Sequence, residues 1–167
     1  MKNICCLLGA SLGLLLAGCA APVALPPVGP YLYGRETTAD EGGLVVFSRM
    51  HGCSEGNNPT WYQHSDYNIY DLQGKLVKHV GNAIGRYEQA PLEVALQPGN
   101  YLVRSRANDY LRVEVPVLVE RGRTTRIHLD GDWKYPAGTQ MRELVSLPDG
   151  NLVGWRAKIP EEGPGSS

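Results

Sequence analysis

The sequence predicts an all-β chain folded as a small antiparallel β-sandwich, with seven to nine strands in two packed sheets. Three observations predict it. Residues 111–119 alternate with almost no interruption: Leu111, Val113, Val115, Val117 and Val119 share one phase, and Arg112 and Glu114 the other. That is the period of a half-buried strand. Turn-forming groups separate the β-branched and aromatic runs, among them Asp71-Leu72-Gln73-Gly74, Pro98-Gly99-Asn100 and Pro148-Asp149-Gly150-Asn151. Beyond the opening apolar segment, no stretch carries a long 3.6-residue period with helix caps.

In chain order, the opening segment stands apart from that fold. Met1, Lys2 and Asn3 make a short, weakly basic start, and an uncharged apolar run follows from Ile4 to Ala17. This has the size and order of an export signal. It is shorter than the about 20 apolar residues that a membrane-spanning helix needs. The run closes on Leu16-Ala17-Gly18-Cys19, which resembles the lipobox of bacterial lipoproteins. The resemblance implies a signal peptide at 1–18, diacylglycerol on the Cys19 thiol, and an acylated new amino terminus. Small residues at 17 and 18 let the backbone enter a narrow protease site, and the thiol is the soft nucleophile that receives the lipid. Several acyl chains hold a protein firmly where one holds it marginally. The implied partner is therefore membrane lipid, bound through Cys19. Ala20, where an aspartate would favour the inner membrane, implies for a Gram-negative cell an outer-membrane anchor facing the periplasm.

Residues 19–42 are expected to be the lipidated terminus and a flexible tether. Four prolines in residues 20–30 argue against a helix or a central strand. The β-sandwich domain is expected over 43–157 and a disordered tail over 158–167. Within the domain, strands are expected at 44–50, rich in β-branched and aromatic residues, and at 61–70, with Trp61, Tyr62, Tyr67, Ile69 and Tyr70. A short one follows the Asp71–Gly74 turn at 75–80, and Leu92, Val94 and Leu96 alternate before the turn at 98–100. Strands at 101–106, 111–119 and 124–129 come next, the last with Thr125, Ile127 and Leu129 inward. Residues 144–147 and 152–155 flank Pro148–Asn151 as a hairpin. Pro116 falls on the outward phase of its strand. It cannot donate to a ladder, which predicts an edge position or a bulge there.

The stretch 71–129 is similar to the prealbumin-like β-sandwich modules, including carboxypeptidase regulatory-like and PEGA-type domains; the fold expected is thus prealbumin-like or Ig-like. The matching pieces are Tyr70-Asp71-Leu72-Gln73-Gly74-Lys75, Leu96-Gln97-Pro98-Gly99-Asn100-Tyr101-Leu102-Val103, Asn108-Asp109-Tyr110, and Val117 to Thr125 with its Gly122 turn. Asp109 stands where the family often has glycine. The resemblance implies a binding, spacing or stability element and points Tyr101 and Val103 into the core. A fold does not fix a function.

Charge excludes one class of partner. The chain carries a formal net charge of -1, and loss of Lys2 with the signal leaves 15 basic against 17 acidic side chains, or -2. That is no basic stripe for nucleic acid, and no lysine-rich run pins the chain to anionic lipid. Of four cysteines, Cys5 and Cys6 leave with the signal and Cys19 takes lipid. Cys53 remains as an inert buried thiol, a partner for another molecule, or a reduced loop residue.

Several residue groups invite a chemical reading. Gly52-Cys53-Ser54-Glu55-Gly56 has the letters of a hydrolase nucleophile elbow, but Asn57-Asn58-Pro59 follows where a helix is required. Asp66 and His128 complete a triad on paper only. His51, Cys53, Glu55, His64 and Asp66 are ligand types suited to zinc or copper, without a close-packed motif, and a polar strand face explains them better. No cofactor, metal or catalytic residue is assigned. For binding, the candidates are Trp61, Tyr62, His64 and Tyr70: the phase of Tyr62, His64, Asp66, Asn68 and Tyr70 is polar with aromatic ends and could meet a glycan or an envelope protein, and Trp61 lies on the other phase. Arg104, Arg106 and Arg112 form a small basic patch or a solvated face. The reading is a non-enzymatic, membrane-anchored envelope protein acting as a binding or accessory module. The alternative is an envelope metal-binding or hydrolytic factor using residues 51–66.

Overall fold

The computed structural model describes residues 24–34, 36–54, 56, 61–83, 90–108 and 112–158. The expected signal peptide, Cys19, Glu55, Leu111 and residues 159–167 of the expected tail lie outside the described residues. Those described form twelve strands, with a single 3-10 turn at Met141–Glu143 and no α-helix. The strands are β1 (Val28–Gly29), β2 (Gly42–Phe47), β3 (Met50–Cys53), β4 (Trp61–His64), β5 (Tyr67–Tyr70) and β6 (Leu76–Val80). They continue with β7 (Glu93–Leu96), β8 (Gly99–Ser105), β9 (Val113–Val119), β10 (Thr124–His128), β11 (Leu144–Ser146) and β12 (Leu152–Arg156). A seven-stranded sheet has the order β11-β12-β1-β9-β8-β5-β6, a three-stranded sheet the order β10-β2-β7, and β3 and β4 pair alone.

The two larger sheets enclose one core. Leu44, Val46, Ile69, Val103, Val115, Ile127 and Val153 are fully buried in it. Each such side chain contributes roughly 1.5–3 kcal/mol through apolar area removed from water. The alternation of β9 appears directly: Val113, Val115, Val117 and Val119 are buried and Glu114 is exposed. Pro116 lies opposite Leu102 of β8, and the other flank of β9 pairs only at Val117. Most of that flank is an edge, where a missing N–H costs little.

The turns follow their chemistry. Asp71 Oδ1 accepts the N–H groups of Gln73 (3.0 Å) and Lys75 (2.8 Å). Leu147 N–H donates to Asn151 O (2.9 Å) and closes the β11–β12 hairpin. The turn after β9 behaves differently, because it carries the chain from one sheet to the other. Gly122 there has φ +66°, and a Cβ would collide with the carbonyl of Thr37. β10 then pairs in parallel with β2, from Thr124↔Gly43 to His128↔Phe47.

The expected strand at 61–70 is two strands, β4 and β5, broken at Ser65 and Asp66. The expected tether also joins the fold earlier than its prolines suggest. Val28 is fully buried and pairs antiparallel with Arg156 and parallel with Val117. A proline removes only its own N–H, and its carbonyl still accepts: Pro27 O takes the Ala157 N–H at 2.8 Å. Arg123 holds the following segment through Tyr31 O at 2.7 Å. Gly154 makes room, since a Cβ there would sit 2.6 Å from Val28 Cγ1. The folded region therefore begins near residue 28, not 43.

Candidate functional site

One end of the seven-stranded sheet is built from the start of β5, the end of β8 and the start of β9. Strand β8 pairs antiparallel with both neighbours, through Asn68↔Arg104 on one side and Arg104↔Glu114 and Ser105↔Val113 on the other. One step further, just past the strand ends, this register sets Arg106 against Arg112. Arg49, in the corner between β2 and β3, is tied to the same place: its N–H donates to Arg106 O (2.8 Å) and its carbonyl accepts Ser65 N–H (2.9 Å). These residues line a groove of about 920 Å³, together with His64, Asp66, Tyr70 and His79.

The groove is unevenly neutralised. Arg104 is satisfied: its Nε lies 2.7 Å from Glu114 Oε2, and its guanidinium stacks 4.4 Å from the Tyr70 ring centre. Asp66 is engaged too, accepting the Asn82 N–H at 3.1 Å and lying 3.9 Å from His79 Nε2. His79 Nδ1 donates to Asn68 Oδ1 at 2.7 Å. Arg49, Arg106 and Arg112 are exposed, and no carboxylate among the described residues lies within ion-pair distance of them. Like charges held opposite each other across a strand pair are unfavourable by themselves.

Three buried hydroxyls stand near this end, two of them, on Tyr67 and Ser105, on the core-facing phase of β5 and β8. Tyr67 is 2 % exposed and Ser105 4 %. With Ser65, their oxygens are buried and receive no hydrogen bond from the protein, and all three residues line the groove. Burial pushes the Tyr67 phenol well above its usual pKa, so it stays a neutral donor. Three guanidinium groups with no ion-pair partner among the described residues form a set of donors matched to an oxyanion.

The residues predicted for binding divide between two places. His64 and Tyr70 line the groove. His64 is 5 % exposed and donates from Nδ1 to Ser48 O at 2.6 Å, which fixes its tautomer. Trp61 and Tyr62 stand on the β3–β4 pair, opposite Cys53 and Gly52, and do not line it. The break at Ser65 and Asp66 separates Tyr62 and His64 from Tyr70, with which they were expected to share a phase. Cys53 is half-buried, is not in a disulfide, and its Sγ lies 3.4 Å from Gln63 Oε1. Among the described residues no three of His, Cys, Asp and Glu gather as metal ligands. Ser54 directly follows β3, and Asp66 and His128 line separate pockets. Arg49 and the three hydroxyls were not marked in the sequence, where only Arg104, Arg106 and Arg112 stood close together.

His128 sits in an aromatic stack instead, 4.4 Å from the Phe47 ring and 4.8 Å from Trp133. Burial, with the Arg126 charge, pushes its pKa down to about 4. The unfolded chain therefore binds a proton here that the folded chain refuses, and stability falls as pH drops from about 6.5 to about 4. Burial raises the Asp130 pKa and acts in the opposite direction. His128→Phe keeps a ring in the stack and removes the histidine contribution. Its unfolding midpoint should fall less than that of the parent between pH 7 and pH 4.5; parallel losses would refute the assignment.

Comparison of the chain with protein-family models, curated proteins and solved structures returns no match.

Proposed function

We propose that this chain is a non-enzymatic, lipid-anchored protein of the cell envelope, whose sandwich holds an anionic ligand in the arginine-lined groove. The observation that carries the binding reading is the trio Arg49, Arg106 and Arg112, which line one groove with no ion-pair partner among the described residues. The anchor reading rests on the Leu16–Cys19 tetrad and the apolar run before it. With Ala20 after the cysteine, the proposed address is the outer membrane, facing the periplasm.

Two measurements test this. Mass spectrometry of the protein from membranes should find a chain that starts at an acylated Cys19, and Cys19→Ala should move it to the soluble fraction. A parent chain that retains residues 1–18 in the membrane would overturn the anchor. Pyrophosphate titrated at low salt should bind the parent, with affinity falling as salt rises. Each charge-assisted hydrogen bond lost is worth about 2 kcal/mol. Arg106→Gln with Arg112→Gln should then weaken binding on the order of 1000-fold. Unchanged affinity in that variant would remove the groove as the site.

A further inference from the structure

We infer that the anion held by the groove is the phosphate of a lipid headgroup, in the same bilayer that holds the chain's own anchor. The inference rests on the reading of Cys19 as lipidated and of the groove as an anion site. It adds where the anion comes from.

The strand directions carry the argument. β1 runs parallel to β9, paired at Val28↔Val117. β9 begins at Val113, beside Arg112 and the groove. The segment leading into β1 therefore approaches from the groove end of the sheet. β12, antiparallel to β1, finishes at this end as well, where Ala157 N–H meets Pro27 O. Ala24 is the first described residue and lies five positions after Cys19. Five extended residues span at most about 18 Å. A lipid on Cys19 thus keeps the groove end of the sandwich close to the headgroups.

Charge supports the same orientation. At the opposite end, the arginines of the β9–β10 turn are already paired: Arg121 with Asp40 at 3.0 Å, and Arg123 with Glu120 at 2.7 Å and Glu36 at 3.6 Å. Arg49, Arg106 and Arg112 in the groove have no such partners among the described residues. An anionic surface attracts each uncompensated arginine near it, and the attraction fades within a Debye length. The patch is invisible as a run because its members stand at positions 49, 106 and 112 and meet only through Arg106 O, Arg49 N–H and the β8–β9 register.

The test uses the chain from Ala20 onward without lipid, which keeps every described strand and separates the groove from the anchor. Flotation with phosphatidylcholine vesicles is compared with flotation with vesicles that also contain phosphatidylglycerol. The expected result is binding to the anionic vesicles alone, weakened by salt. Each Arg→Gln change at 49, 106 or 112 should lower partition about five-fold, and the triple variant on the order of 100-fold. Arg121→Gln, at the far end, should leave partition unchanged. Thermal unfolding of the triple variant, whose changes are at exposed side chains, confirms that it is folded. Equal flotation with both vesicle types, or full binding by the folded triple variant, overturns the headgroup assignment. Pyrophosphate binding without vesicle binding also overturns it while leaving the anion site in place. Loss of both removes the groove reading altogether. None of these outcomes depends on lipid at Cys19, which the mass measurement tests separately.

Discussion

Asn82→Ala should lower the unfolding midpoint by about 10 °C or more, from one exposed-looking letter in an irregular stretch. Asn82 is 1 % exposed and joins the β2–β7 pair of the three-stranded sheet to the approach to β5 in the seven-stranded one. Its Nδ2 donates to Val46 O at 2.8 Å and to Ser48 Oγ at 3.1 Å. Its Oδ1 accepts Leu92 N–H at 3.0 Å, and its own N–H goes to Asp66 Oδ1. The side chain thus fixes the end of β2 and the approach to β7, while the backbone N–H holds Asp66 at the approach to β5. Truncation strands buried donors and acceptors, each costing about 1–3 kcal/mol, for a total of about 3–5 kcal/mol. For a domain of this size that corresponds to about 2–4 °C per kcal/mol. Asn82→Asp retains the acceptor for Leu92 but loses both donations and brings a second carboxylate beside Asp66, so it should not rescue. Chemical denaturation of the two variants checks this; a loss under about 1 kcal/mol would refute the stapling role.

Val28→Asp should leave the domain unfolded at room temperature. Val28 is fully buried between β9 and β12, with Gly154 beneath it. Arg156, its cross-strand partner, already donates to Arg142 O and Leu144 O. An unpaired buried charge costs several kcal/mol, on a total stability of about 5–15 kcal/mol. If residues 24–30 were a tether, the same change would be silent. A cooperative, parent-like melt by circular dichroism would therefore restore the tether reading and undo the assignment of β1 to the core.

What could be read from the letters was local. β9, β10 and the β11–β12 hairpin each carry period-two alternation bounded by turn residues, and the sheets place those residues as the alternation implies. β1 was hidden because its signal is two residues between prolines, and its partners lie far along the chain. The break after His64 was hidden because Ser and Asp are tolerated in either setting; what enforces it is tertiary, with Ser48 Oγ on Ser65 O at 2.6 Å and Asp66 on Asn82. The groove was half legible. Arg104, Arg106 and Arg112 are neighbours in sequence, but Arg49 joins them only through the backbone of residue 106. Ser65, Tyr67 and Ser105 look like ordinary strand residues until burial is known.

The two-residue β1 also governs when this protein can fold. It is the seam between β12 and the β9–β8–β5–β6 part of the sheet, and Val28 must meet Arg156, 128 positions later. β2 likewise waits for β10, as Leu44 pairs with Thr125. A native state dominated by such distant pairings has a high contact order and folds on the millisecond-to-second scale. The first strand to leave a ribosome or a translocon therefore cannot be completed until the last one has followed it. A chain threaded through a pore from its amino terminus cannot complete the seven-stranded sheet until almost all of it has passed.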